Sequence, residues 1–280
     1  MDDFRSKVEK LYDKYADDYN SEFIKPTFNT FRSALSFCND IHIYYLKKYL
    51  TQKEKNIKIA DIGGGDGMWS EFLLNYGFSH ITLTDISQNM LEIAKKRLNS
   101  IIKPKNIPLS HLNFIKADIC AMPQIPSNKF DVTISLYDPV SYSLQPKQAV
   151  QELSRITKSG GLIFISLDTK YRRVPELIEA GQLDKVEELL QTSISYDFQH
   201  PQYNVVWEEM EAIFRAVGVQ VLEFIGAPVF VHQVKPKILR ELEKQSNIRD
   251  RLLEIELEYG TNRSLINNAG HLICIGRKNL

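Results

Sequence analysis

Residues 59–67 read Ile-Ala-Asp-Ile-Gly-Gly-Gly-Asp-Gly, an apolar run that closes on a carboxylate and breaks into a turn too rich in glycine for ordinary packing. Trp69, Phe72, Leu73 and Tyr76 follow at helical spacing. A strand, a glycine turn and a helix in succession let the backbone approach a nucleotide-like ligand, because glycine removes the Cβ and admits positive φ. The spacing narrows the ligand. A dinucleotide fingerprint, G-x-G-x-x-G counted from Gly63 and Gly65, needs a third glycine where Met68 stands. The pattern present is D-x-G-x-G-x-G, carried by Asp61, Gly63, Gly65 and Gly67. A second apolar run ends at Thr84-Asp85-Ile86-Ser87, and a carboxylate at that point can accept from both hydroxyls of a ribose.

These residues resemble the motifs of the class I S-adenosylmethionine-dependent methyltransferases, in which a glycine turn packs against the amino-acid end of a cationic cofactor. The resemblance runs from about residue 57 to 168 and returns at the last apolar run. The phrase D-x-S-x-x-M-L of the family is matched by Asp85, Ser87, Met90 and Leu91, which places Ile86 and Met90 near the adenosine. It further implies that Asp118 accepts from the adenine amino group, that the Ile119 N–H reaches a ring nitrogen, and that Ser135 and Leu136 flank the methionine part. The opening Tyr12-Asp13-Lys14-Tyr15-Ala16-Asp17-Asp18-Tyr19 resembles the Y-D-x-x-A-x-x-Y start of many small-molecule methyltransferases. By that likeness Tyr15 and Tyr19 reach the cofactor carboxylate from an aromatic lid. The implied cofactor is S-adenosyl-L-methionine, and no metal is called for.

Methyl transfer from a sulfonium is an in-line displacement, so the protein has mainly to align the nucleophile and exclude water. A general base is needed only where the nucleophile still holds its proton. The acceptor is expected beyond the fourth strand, at Tyr137, Asp138 and Tyr142, with Arg172 and Arg173 available for an acidic group. Leu136-Tyr137-Asp138-Pro139-Val140-Ser141-Tyr142 lacks the second proline and adjacent aromatic of the D-P-P-Y motif, which argues against methylation of bases or amides. His200, His232 and Tyr142 are the candidate catalytic groups; His42, His80, His111 and His271 read as structural.

The elements that must position these groups alternate. Strand-like runs fall at 57–62, 80–84, 111–115, 132–136 and 161–167, with helix patterns at 68–76, 89–101 and 147–157. Such alternation predicts a parallel sheet covered on both faces. The resemblance makes it a Rossmann-like α/β fold, a seven-stranded mixed sheet whose last strand is antiparallel, paired with the run from Val219. The expected division is an N-terminal helical lid at 1–55, a cofactor-binding core at 56–169, a helical and aromatic insertion at 170–204, more core at 205–227, a helical cap at 228–268 and a final core strand at 269–280. Within the lid, Phe28, Phe31, Leu35 and Phe37 mark one helix and Ile41, Ile43, Tyr44, Leu46 and Leu50 another. The first insertion is predicted as one helix over 175–190 and an aromatic loop, the second as a long charged helix.

Lys plus Arg equals Asp plus Glu at 35 each, and no basic stripe stands out, which speaks against nucleic acid or an anionic membrane as partner. Neither a signal-like start nor a span-length apolar run is present, and three scattered cysteines support neither a disulfide framework nor a zinc site. The expectation is a cytoplasmic enzyme that methylates an oxygen or nitrogen of a small molecule or short peptide, with an oligomer possible. A nicotinamide-dependent oxidoreductase and a catalytically silent cofactor-binding module are the alternatives.

Overall fold

Strand pairing explains why the apolar runs are so continuous. In the computed structural model, which describes residues 2–18, 34–197, 200–242, 245 and 247–280, seven strands form one sheet. They are β1 (Lys58–Ile62), β2 (His80–Asp85), β3 (Leu112–Lys116), β4 (Phe130–Ser135), β5 (Thr157–Asp168), β8 (Val219–Ala227) and β9 (His271–Lys278). Their order is β3-β2-β1-β4-β5-β9-β8, with β9 antiparallel to both neighbours and the rest parallel. Each central strand is apolar on both sides because both faces are covered. Along β1, Ile59 packs under one helical layer while Ala60 and Ile62 pack under the other.

The first layer holds α2 (Ala34–Leu50), α3 (Met68–Asn75) and α4 (Gln88–Ile102); Ile41, Leu46, Leu73, Leu74, Ala94 and Leu98 form its buried side. The second holds α6 (Pro146–Ile156) and α9 (Trp207–Ala216), through Ala149, Val150, Leu153, Met210 and Phe214. A short helix, α5 (Pro139–Tyr142), follows β4 directly. At the N-terminus α1 (Asp2–Asp18) lies against α4. Leu35 and Phe37 belong to the same helix as Ile41 and Leu46, while Phe28 and Phe31 lie outside the described residues.

The insertions depart from their predicted form. The first contains two helices, α7 (Arg173–Glu179) and α8 (Leu183–Thr192), separated at Gly181, whose φ is +69°. Its aromatic stretch is an antiparallel hairpin of β6 (Ile194–Asp197) and β7 (His200–Tyr203), in which the tyrosines alternate with polar residues as strand residues do. The second insertion comprises α10 (Pro236–Leu242), α11 (Ile248–Tyr259) and α12 (Arg263–Ile266). A single buried carboxylate anchors it: Glu256 on α11 accepts from the N–H groups of Val229, Phe230 and Val231 at 2.5, 3.0 and 2.6 Å. Phe37 of α2 packs on Val231 and Leu239, so this insertion is fastened to the first helical layer.

Candidate active site

Strand order reverses between β1 and β4, and the crevice at the carboxyl ends of these strands is where open α/β sheets take ligands. The glycine turn leaves β1 here. A Cβ on Gly63 would lie 2.5 Å from Cβ of Pro139, so glycine lets α5 close directly onto the turn. At Gly65, with φ +53°, a Cβ would meet no atom within 4 Å; its α-carbon faces open space. Gly67, φ +85°, precedes α3.

Asp85 ends β2 with both oxygens in use, Oδ2 accepting from Gly65 N–H at 2.9 Å and Oδ1 from Ser87 N–H at 2.8 Å. Each oxygen keeps a second lone pair, so the turn holds the carboxylate in place for two further donors. Burial pushes its carboxyl up to about 6, against the pull of those N–H groups. Asp61 accepts from Ser70 Oγ at 2.7 Å, and burial, with the like charges of Asp85 and Asp66, pushes it up to about 7. Two buried carboxylates at the base of one crevice favour a cationic ligand there.

Buried polar atoms nearly always find partners. Asp61 Oδ1 on β1, Ser135 Oγ on β4, Ser141 Oγ on α5, Trp69 Nε1 on α3 and His42 Nε2 on α2 are buried without any. These atoms, on elements that meet at the crevice, fit a ligand with several donors and acceptors, as the methionine end of S-adenosylmethionine has. Leu136 follows Ser135 as a buried residue. Met90 is fully buried in α4, its N–H accepted by the cap residue Ser87. Ile86 lies between Asp85 and Ser87, partly exposed, and Ile119 lies at the edge of the core.

The N-terminal helix crosses this end of the sheet. Asp13 Oδ1 accepts from Ser87 Oγ at 2.5 Å and Asn89 N–H at 3.3 Å, and Asn89 Nδ2 donates to the Asp13 carbonyl at 3.1 Å. Arg5 pairs with Asp118 at 2.8 Å, and Glu9 with Lys116 at 2.5 Å. Asp118, expected to accept from the adenine amino group, therefore already has a guanidinium on Oδ2 and the Cys120 N–H on Oδ1. Tyr12 meets Tyr142 edge to face, ring centroids 5.8 Å apart. Of the two lid tyrosines, Tyr19 lies outside the described residues, and so does the side chain of Tyr15, although its backbone is in α1.

Beyond β4 the chain does something the sequence does not announce. Tyr137 and Asp138 both adopt left-handed backbone, φ +60° and +73°, an uncommon state for residues with a Cβ. Ser166 of β5 holds them there: its Oγ accepts from Tyr137 N–H at 2.7 Å and its carbonyl from Asp138 N–H at 3.2 Å. The Tyr137 ring then stacks against His42 and Trp69, at 5.0 and 5.8 Å, and meets His271 edge to face at 5.5 Å. Asp138 Oδ2 reaches His271 Nε2 at 3.0 Å.

His271 is thus no bystander in the core, as its place on an apolar run led us to expect. It opens β9 opposite Asp168 at the end of β5, with Nε2 3.6 Å from Asp168 Oδ1 and Nδ1 3.5 Å from Cys38 Sγ. Burial alone would favour neutral imidazole, but Asp138 first and Cys38 second hold its pKa well above the ordinary value. Burial would also raise the Cys38 thiol, yet His271 and His42 bring it down to about 6. Asp138 is raised, by burial and by the like charge of Asp168, despite His271. Asp168 stays below the usual carboxylate range: burial is outweighed by Arg172, His271 and Arg173. Arg172 Nη2 donates to Asp168 Oδ1 at 2.8 Å and Gln202 of β7 to Oδ2 at 2.6 Å.

Arg172 is therefore committed to Asp168 rather than offered to an acidic substrate, and Arg173 lies 3.7 Å from Glu176. His232 sits close enough to Arg172 and His271 to feel both charges; burial and then Arg172 push it down to about 4, a neutral imidazole with a buried, unpartnered Nδ1. His200 opens β7, partly exposed, two positions before Gln202. Asp138, Asp168 and His271 have ligand atoms within 4.8 Å of one another, close enough for a cation, but Arg172 and the imidazolium already supply the positive charge. Cys38, His42, Trp69, Asp168, Gln202 and His271 are site residues that sequence reading missed. The one sequence signal was a histidine starting an otherwise apolar strand.

Comparison with known proteins agrees with this geometry. Residues 60–165 match the family described as Methyltransferase domain. A demethylmenaquinone methyltransferase of Leptospira interrogans is 29% identical over 161 residues, 54% of this chain and 62% of the relative, so the chain spans less than two thirds of that protein's length. Among solved structures, the cyclase SpnF superposes with a TM-score of 0.66 at 16% identity, covering 99% of this chain and 97% of that one. Magnesium protoporphyrin IX methyltransferase from Synechocystis, solved with bound S-adenosylhomocysteine, superposes with a TM-score of 0.60 at 12% identity over 99% and 100%.

Proposed function

We propose, from the methyltransferase-domain match over residues 60–165 and the crevice built on the glycine turn, that this class I S-adenosylmethionine-dependent methyltransferase methylates a small, flat, hydroxylated molecule, at the hydroxyl oxygen or at the ring atom beside it. One observation carries the choice of acceptor: the wall of Tyr137, His42 and Trp69 rings standing next to a buried carboxylate at the carboxyl end of β4. Parallel rings suit a planar aromatic guest, and a carboxylate suits a hydroxyl donor. Relatives named as a ubiquinone/menaquinone biosynthesis C-methyltransferase and a ubiquinone biosynthesis O-methyltransferase support carbon as well as oxygen; a short peptide finds less support in a wall of this shape.

When bound, the cofactor supplies an electrophilic methyl on a sulfonium leaving group. The chain's own residues then have three tasks. Asp85 and the glycine turn fix the nucleoside end, and Asp61 with Ser135 offers polar contacts for the amino-acid end. The ring wall and α1 exclude water, which matters because a displacement that disperses positive charge gains from a dry site. The residues beyond β4 orient the acceptor.

The test is turnover with deuterium-labelled S-adenosylmethionine and a panel of catechols, hydroquinones, naphthols, primary amines and short peptides, read by mass spectrometry. We expect labelled methyl on at least one ring acceptor, with S-adenosylhomocysteine formed in equal amount. Labelling of amines alone, or of peptides alone, overturns the acceptor reading. Calorimetry that shows binding of NAD and none of S-adenosylhomocysteine overturns the cofactor.

A further inference from the structure

Asp138 has one oxygen held and one oxygen bare. Oδ2 is fixed by His271 Nε2 at 3.0 Å, while Oδ1 is buried and without a partner. The same residue sits in left-handed backbone, held there by the Ser166 carbonyl, directly after the ring of Tyr137. Strained backbone, an unpaired buried acceptor and an aromatic wall meet at one residue, and backbone strain of this kind concentrates where function maintains it. Behind Asp138 a chain of contacts has no slack. His271 is gripped by Asp138 and Asp168, and Asp168 is in turn gripped by Arg172 and Gln202.

We propose that Asp138 is the general base of the methyl transfer, its bare Oδ1 taking the proton from the acceptor hydroxyl, with His271, Asp168, Arg172 and Gln202 as positioning residues. This rests on the hydroxylated acceptor proposed above. The balance is simple. On oxygen, a lone pair of the acceptor forms the bond to methyl carbon and the sulfur–methyl pair returns to sulfur. On the adjacent ring carbon, a π pair of the phenolate forms that bond, and the C–H proton of the resulting dienone is then lost as its oxygen is reprotonated, restoring the phenol. The hydroxyl proton moves to Asp138 Oδ1, and from there to solvent once products leave. No oxidant or metal enters the step.

The surroundings suit a base rather than a charge clamp. A carboxylate raised above its usual range by burial and by Asp168 is a stronger proton acceptor than a solvated one. The imidazolium on Oδ2 keeps the carboxylate aligned and tempers that rise. Facing Asp138 from other elements are His271 of β9, Asp168 of β5 and Arg172 just past it, with Cys38 on α2 beyond His271 and His232 of the second insertion beyond Arg172.

The deciding experiment compares acceptors that hold their proton with one that does not. Wild type and Asp138→Asn are assayed at pH 8 with catechol and with 4-nitrocatechol, which is already largely ionised there. Asn is isosteric with Asp and cannot take the proton. We expect kcat/KM to fall about 100-fold on catechol, the usual worth of a positioned base, and less than tenfold on 4-nitrocatechol. Equal losses on both mean a structural role and overturn the proposal, as does no loss on either. S-adenosylhomocysteine affinity, measured alongside, should agree within threefold between the two proteins. Loss of that affinity in the variant marks a damaged site, and Asp138→Glu then serves instead, with partial recovery on catechol expected and none counting against the base. A wild type that binds S-adenosylhomocysteine but methylates neither these phenols nor any other ring acceptor of the panel overturns the acceptor reading and this base together. For the positioning role, His271→Gln keeps a donor to Oδ2 but removes its charge, so the acid limb of kcat/KM on catechol should move to higher pH; an unmoved limb removes His271 from the relay.

Discussion

Asp85 shows how much one side chain can organise. Its carboxylate ties the glycine turn to the end of β2 through Gly65 N–H and to the start of α4 through Ser87 N–H, while keeping a lone pair on each oxygen. Charge-assisted hydrogen bonds are worth about 1.5–3 kcal/mol each, so losing two to a ribose removes about 100-fold or more in affinity. Asp85→Ala should therefore weaken S-adenosylhomocysteine binding by about that factor in calorimetry, while the circular dichroism spectrum stays that of the folded protein. Unchanged affinity would place the ribose elsewhere. Asp85, Asp61 and the three glycines were legible in the sequence because their chemistry is local: a turn, a strand end and a helix start lie within a few residues of one another. Asp138 was legible as a candidate beyond the fourth strand, but not its partner, because His271 stands 133 positions away along the chain.

At the scale of elements, α1 is fastened by a few polar contacts over the carboxyl ends of β2 and β3. Asp13 carries most of them, accepting from Ser87 and Asn89 at the start of α4, and Arg5 and Glu9 add ion pairs to Asp118 and Lys116. Exposed ion pairs contribute little, about 0–1 kcal/mol, so the Asp13 contacts should dominate. Asp13→Ala should release α1 alone: hydrogen exchange at its amides should rise about tenfold or more, with the sheet strands unaffected, and S-adenosylhomocysteine should dissociate faster. Protection of α1 equal to wild type would show that its apolar side, with Val8 and Ala16 buried, holds it without Asp13. The amphipathic stripe of α1 was readable from spacing, whereas its docking partner was not. The insertions illustrate the same limit. Their apolar positions run on at helical spacing, and the break at Gly181 and the hairpin at β6 and β7 are decided by what they must pack against.

For the molecule as a whole, the buried carboxylates of the cofactor crevice make stability depend on pH in an unusual direction. Asp61 and Asp85 titrate near 7 and near 6 in the folded chain, above the ordinary carboxylate value they take when unfolded. Between those values the folded state binds more protons than the unfolded one, so stability falls as pH rises. The protein without cofactor should accordingly melt at a higher temperature at pH 5 than at pH 7.5, and the difference should shrink in Asp61→Asn. A bound cation would favour the ionised carboxylates, so stabilisation by S-adenosylmethionine should be larger at pH 7.5 than at pH 5. A melting curve independent of pH over that span, with and without cofactor, would contradict the burial of both groups.

By itself the sequence determined the alternating architecture, the glycine turn and the carboxylates that mark a nucleoside-binding crevice, since strand periodicity, glycine spacing and strand-end acids are written within short windows of chain. Only the tertiary structure decided what surrounds Tyr137 and Asp138, where the acceptor is proposed to lie. The insertion of the final strand between β5 and β8 sets His271 opposite Asp168, Ser166 bends Tyr137 and Asp138 into left-handed backbone, and α2 brings Cys38 and His42 against them. Those meetings depend on strand register and on helix packing across the whole sheet, and a shift of one residue along β9 would turn His271 to the opposite face.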